Sequence, residues 1–272
     1  MKGKMQYMDG KVLLIVLYGL VQVTAIVLGM RFDVLGTVDK AFYQMGQNSM
    51  LFISGSLIVV VTLVLLLLIR YKLSRIFYAF LKYGLLWVAV ALILFFLGQS
   101  WYTIVTLSSL TVILQRVFSW VRPVSTGIFA VCSAAVLGSY FEIPYAVALF
   151  GFLILLDILS EHVTHHMGPL AEDIIQKGAP LMFRVPTGEE GLFVGSADIV
   201  FPCMLAVSAF THSLYMGGVL ASLLGLGGLL LAVGHTTRRD EVHAGPYASL
   251  GILGLFIGYV LQYPEWIGML LE

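Results

Sequence analysis

Nine apolar stretches of roughly 20 residues recur along this chain, each bounded by charges, prolines or glycine clusters, and a helix of about that length can cross the hydrocarbon of a bilayer. They fall at 11–30, 50–69, 77–97, 101–118, 123–141, 144–164, 191–211, 213–234 and 246–263. A bilayer admits only helices and closed barrels, and barrel strands would alternate apolar and polar residues, which these runs do not. Composition agrees, since 60% of the 272 residues are hydrophobic and 11% charged, whereas soluble domains are about 25% charged; mean hydropathy is +0.97. The expectation is an all-α, polytopic membrane protein in one transmembrane domain over 1–272. Six helices span about 11–164, a cytoplasmic loop covers 165–190, and three helices span about 191–263.

Orientation follows from the cations, because cytoplasmic loops carry the excess of Lys and Arg. With nine helices, one side receives Lys2, Lys4, Lys11, Arg70, Lys72, Arg75, Arg116, Arg122, Lys177, Arg184, Arg238 and Arg239, and the other only Arg31 and Lys40. Lys82 falls inside the third run, where it can snorkel to the surface. This asymmetry predicts a cytoplasmic N-terminus and an outside C-terminus in the cell membrane. The formal net charge of zero offers nothing to a nucleic acid, and Cys132 and Cys203, both within apolar runs, read as small core residues.

Two acids interrupt these runs: Asp157 in Leu156-Asp157-Ile158-Leu159-Ser160, and Asp198 in Gly195-Ser196-Ala197-Asp198-Ile199-Val200-Phe201-Pro202. A carboxylate inside a membrane helix is expensive and is a functional-site candidate by default. On the nine-run topology each acid lies about 7 residues, or roughly 10 Å, from the cytoplasmic end of its helix. Consecutive helices are usually neighbours, so the two side chains can face each other. Facing acids in a low-dielectric site tend to hold one proton between them. One can then take a proton from water while the other protonates a carbonyl, which is the chemistry of aspartic proteases. The competing readings are a proton- or cation-coupled transporter or channel, and acids that merely pair with polar groups on other helices.

Around these acids the sequence resembles the archaeal presenilin homologues, members of the presenilin and signal peptide peptidase family of intramembrane aspartyl proteases. The residues that carry the likeness are Leu156-Asp157-Ile158-Leu159-Ser160, His165-His166-Met167-Gly168-Pro169-Leu170, Ala179-Pro180-Leu181-Met182-Phe183-Arg184-Val185-Pro186 and Gly195-Ser196-Ala197-Asp198. The likeness covers roughly residues 120–262. Leu156 stands where the family has Tyr, Ala197 where it has the second Gly of Gly-x-Gly-Asp, and Gly245-Pro246-Tyr247-Ala248 where a Pro-Ala-Leu opens the ninth helix. The resemblance implies Asp157 and Asp198 as the catalytic pair, transmembrane segments of other proteins as substrates, and no metal or organic cofactor. It also places Gly245, Pro246, Tyr247 and Ala248 beside the active site. An inactive relative that binds membrane segments without cutting them would look the same.

Gly195, Ser196 and Ala197 are small, so a peptide backbone could pass close to Asp198; ordinary close helix packing would need the same residues. Gly245-Pro246 can be an unwound stretch lining a wet cavity or simply a helix start with Pro in its first turn. His162, His165 and His166 lie at i, i+3 and i+4. Neither zinc-protease motif accompanies them, so they read as a solvated cluster at the membrane surface, and 170–178 as a candidate interfacial helix. Gly217, Ala221 and Gly225, with Gly254 and Gly258, form small-residue ridges suited to close helix packing.

Overall fold

A computed structural model describes residues 2–34, 81–118, 121–159, 182–185, 192–235, 247 and 249–264, with the isolated helical positions Ser49, Phe52, Ser56 and Val60. Eight α-helices and one β-hairpin stand among them. They are α1 (Lys2–Val34), α2 (Leu86–Phe96, entered through a π turn Leu81–Leu85), α3 (Trp101–Val117), α4 (Val121–Tyr140) and α5 (Ile143–Leu159). After these come β1 (Met182–Val185), β2 (Leu192–Gly195), α6 (Ser196–Thr211), α7 (Tyr215–His235) and α8 (Leu250–Gln262). Lys11–Phe32, Pro123–Tyr140 and Tyr215–His235 are long and apolar enough to cross a membrane, and four shorter apolar helices accompany them.

Among the described residues, seven of the nine expected runs coincide with these helices to within a few residues or, for α1, a longer start. The run at 50–69 lies outside the described residues apart from isolated positions, as do the three histidines and 170–178. The run at 191–211 is the exception. Its first residues, Leu192–Gly195, are a strand paired antiparallel with Met182–Val185, in the register Met182 opposite Gly195 and Val185 opposite Leu192. Apolarity alone does not separate a short strand from the start of a helix. The distinguishing signal was Pro186, Thr187, Gly188 and Gly191 between two short runs of β-favouring Phe and Val.

The bundle is built around α6. Every residue from Pro202 to Ala209 is buried, and α6 packs against α1, α4, α5, α7 and α8. Close approach on the α4 side depends on missing side chains. A Cβ on Gly138 would meet the Met204 carbonyl oxygen at 2.7 Å and Val207 Cγ1 at 2.8 Å. The Ser208 hydroxyl donates to the Phe141 carbonyl at 2.7 Å, tying α6 to the turn that joins α4 and α5. On the other side, a Cβ at Gly254 would fall on the Leu220 carbonyl and one at Gly258 on the Gly217 backbone. The small-residue ridges thus serve the packing of α7 on α8. Their far end is fastened by Gln262, whose Nε2 donates to the Ser213 carbonyl at 2.8 Å while its Oε1 accepts from the Met216 N–H at 3.2 Å.

Candidate active site

Asp198 is the third residue of α6, so the expected depth of about 7 residues inside that helix is corrected to its first turn. Gly195 is the N-cap, with extended backbone angles (φ −62°, ψ 139°). Its N–H donates to the Asp198 carboxylate, which is half of a capping box, the third helical residue reaching back to the cap. The carboxylate therefore takes up a donor that the helix start leaves free. Gly195 is required here for space rather than for its dihedral angles: a Cβ would stand 2.8 Å from Asp198 Oδ2. Four residues on, Pro202 has no N–H to give to the Asp198 carbonyl, so that carbonyl lacks its ordinary helical partner. The Pro202 ring finds room against Gly225 of α7, where a Cβ would meet it at 2.7 Å.

Asp157 lies near the described end of α5, on a helix whose first half is buried through Ala146, Leu149 and Phe150. The rings of Phe150 and Phe201 stack with centroids 5.7 Å apart, so α5 and α6 are neighbours, as consecutive helices were expected to be. Asp157 and Asp198 are close enough for their charges to act on each other. Both are half-buried, Ala197 between the cap and the second acid is exposed, and Ser196 is buried at 5%. Of the small triplet, Gly195 turns to Asp198, Ser196 turns into the core, and Ala197 faces outward. Leu156 is half-buried beside Asp157.

Of the block expected beside the site, Gly245, Pro246 and Ala248 lie outside the described residues. Tyr247 packs against the core cluster that includes Phe183, Val194, Ile199 and Leu229. Sequence reasoning missed the β-hairpin, whose second strand runs without a break into the helix bearing Asp198.

The architecture that carries these residues is similar to that of solved structures. One is described as a presenilin family intramembrane aspartate protease in a C222 crystal form, with 21% identity, TM-score 0.64, and coverage of 90% of this chain and 97% of that one. The same kind of protein in a P2 form matches with 22% identity, TM-score 0.60, and coverage of 90% and 96%. The fold is the presenilin fold. At this identity the likeness is one of architecture, and it extends the resemblance seen around the two acids to 90% of the chain. No protein-family model matches the sequence, and no curated protein matches it. Within the presenilin fold, the element missed by sequence reasoning is the hairpin, and the displaced boundary is the start of α6.

Proposed function

We propose that this chain is an intramembrane aspartyl protease that hydrolyses peptide bonds within transmembrane segments of other proteins, with Asp157 and Asp198 as the catalytic pair. The observation that carries this reading is that two acids 41 positions apart in sequence act on each other's charge inside a presenilin fold. In the reaction one carboxylate takes a proton from water, the water oxygen bonds to the scissile carbonyl carbon, and the other acid gives its proton to the carbonyl oxygen. The tetrahedral intermediate then collapses: the C–N bond breaks, the amine leaves with a proton from the pair, and a hydroxyl returns its proton to the pair as the carbonyl re-forms. Water is added across one peptide bond, and the pair ends with the single proton it began with.

A transmembrane substrate hides its carbonyls in helical hydrogen bonds, so it must unwind before water reaches one. The β1–β2 hairpin supports an extended mode of binding, since a strand added to a sheet edge gains backbone hydrogen bonds and β2 leads directly to Asp198. The exposure of Ala197, one residue before Asp198, supports assigning it to such a path. The proposal includes nine spanning helices, a cytoplasmic N-terminus and an outside C-terminus, and it calls for no cofactor.

The test is the purified protein in detergent or liposomes with a labelled transmembrane peptide. Cleavage that disappears in Asp157→Ala and in Asp198→Ala is the expected result. Ion flux without cleavage, or binding without cleavage by the parent protein, would overturn the reading.

A further inference from the structure

The contacts between α6, α7 and α8 set a common level across the three helices. Pro202, Gly225 and Gly251 lie in one layer: a Cβ on Gly225 would meet Pro202 at 2.7 Å, and one on Gly251 would lie 3.7 Å from Pro202 and 3.8 Å from Gly225. Adjacent helices here run antiparallel, as the further pairings of Gly218 with Phe210 and of Gly258 with Gly217 require. One helical turn from that layer, about 6 Å, brings in Asp198 on α6, Leu229 on α7 and Tyr247 just before α8. Tyr247 accordingly packs on the core cluster that contains Leu229 and Ile199. An aromatic side chain thus stands at the level of the second acid.

Tyr247 is held from its polar end. Its hydroxyl lies 3.1 Å from Nδ1 of His235, the last residue of α7, and the two rings stand edge to face with centroids 5.7 Å apart. His235 is exposed and Tyr247 half-buried, so the pair joins the rim of the site to its core. The α7–α8 pair is therefore fastened by Gln262 at its far end and by His235 with Tyr247 at the end that faces Asp198.

We propose that His235 is a positioning residue for the site. Through Tyr247 it pins the entry to α8 at the level of Asp198, so that the wall on which a substrate segment lies is formed before substrate arrives. The inference rests on the proteolytic reading for its consequence and on the hydrogen bond for its geometry, and two independent measurements separate them.

The first is hydrogen exchange on the full chain in detergent micelles. The Ile252 and Leu253 amides, which bond to the Ser249 carbonyl in the first turn of α8, should exchange roughly fivefold faster in His235→Ala and in Tyr247→Phe. That factor corresponds to a hydrogen bond of about 1 kcal/mol. The second is steady-state cleavage of a labelled transmembrane peptide, in which KM should rise by a similar factor with kcat within about twofold, since the pair touches no reacting atom. The double variant should match either single one. His235→Asn, which keeps a polar atom near the place of Nδ1, should restore both readouts, and His235→Gln should not. Unchanged exchange and unchanged KM in His235→Ala would overturn the inference, as would a change reproduced by His235→Asn. Faster exchange in His235→Ala together with no cleavage by the parent protein would overturn the proteolytic reading and leave the pinning of α8 established.

Discussion

The two acids sit on helices of opposite character. Asp198 belongs to α6, which five other helices enclose and whose residues from Pro202 to Ala209 are all buried. Asp157 belongs to α5, which is buried only in its first half; beyond Phe150 every described residue is half-buried or exposed, with Leu155, Ile158 and Leu159 turned outward. One carboxylate is fixed by the packing of its helix and by the Gly195 N–H, and the other is carried on a stretch of α5 whose described residues are half-buried or exposed. The two acids of the proposed pair thus draw on different support, one on a helix enclosed by others and one on a less buried helix.

The largest effect should come from removing either acid. Asp157→Ala and Asp198→Ala should each lower turnover of a transmembrane peptide by on the order of 10²–10⁴-fold, and the double variant should be no worse than the poorer single one. Turnover retained in Asp157→Ala would break the comparison in favour of a single fixed acid working alone.

Next comes Gly195→Ala, in which the added methyl would stand 2.8 Å from Asp198 Oδ2 and displace the carboxylate from its N–H. A shift of about 1 Å at a reacting group can cost about 10²-fold, so kcat should fall by that order while the folded protein survives. Wild-type kcat in Gly195→Ala would mean that Asp198 is not held by its cap.

The pH dependence of kcat/KM should be bell-shaped. The acid limb falls as the base carboxylate gains a proton, and the alkaline limb falls as the pair loses the proton it shares, each by about tenfold per pH unit for one proton. Rates that stay level well above neutrality, with chemistry shown to be limiting, would sever the two acids functionally.

The smallest effect separates the packing of the two regions. Gly138→Ala puts a methyl against Met204 and Val207 of α6 and should destabilise by about 1–3 kcal/mol. Gly151→Ala on α5 meets nothing within 4 Å and should be neutral or stabilising by up to about 1 kcal/mol through helix propensity. Thermal unfolding of both variants in the same detergent gives the answer. Equal losses would show that α5 is as tightly enclosed as α6.

Asp157 and Asp198 could be read as site candidates because a carboxylate within an apolar run has no ordinary structural use. The helix spans followed from the same logic, since about 20 apolar residues with no alternation leave a bilayer protein little choice. The hairpin was hidden because Leu192–Gly195 is as apolar as the helix it precedes, and its partner Met182–Val185 lies outside any long run. His235 gave no signal, for its role depends on Tyr247, twelve residues away across a chain reversal.

By itself, then, the sequence determined the apolar environment the chain is suited to, most of its described helices and the two acids proposed as the catalytic pair, because those readings depend on local composition measured against hydrocarbon. Only the tertiary structure decided that α6 begins at Ser196, that Gly195 makes room for the Asp198 carboxylate, and that α6 is the enclosed helix while α5 is not. These are properties of contacts. A strand exists only when its partner's backbone lies alongside it, and a glycine matters for space only when another atom stands where its side chain would be.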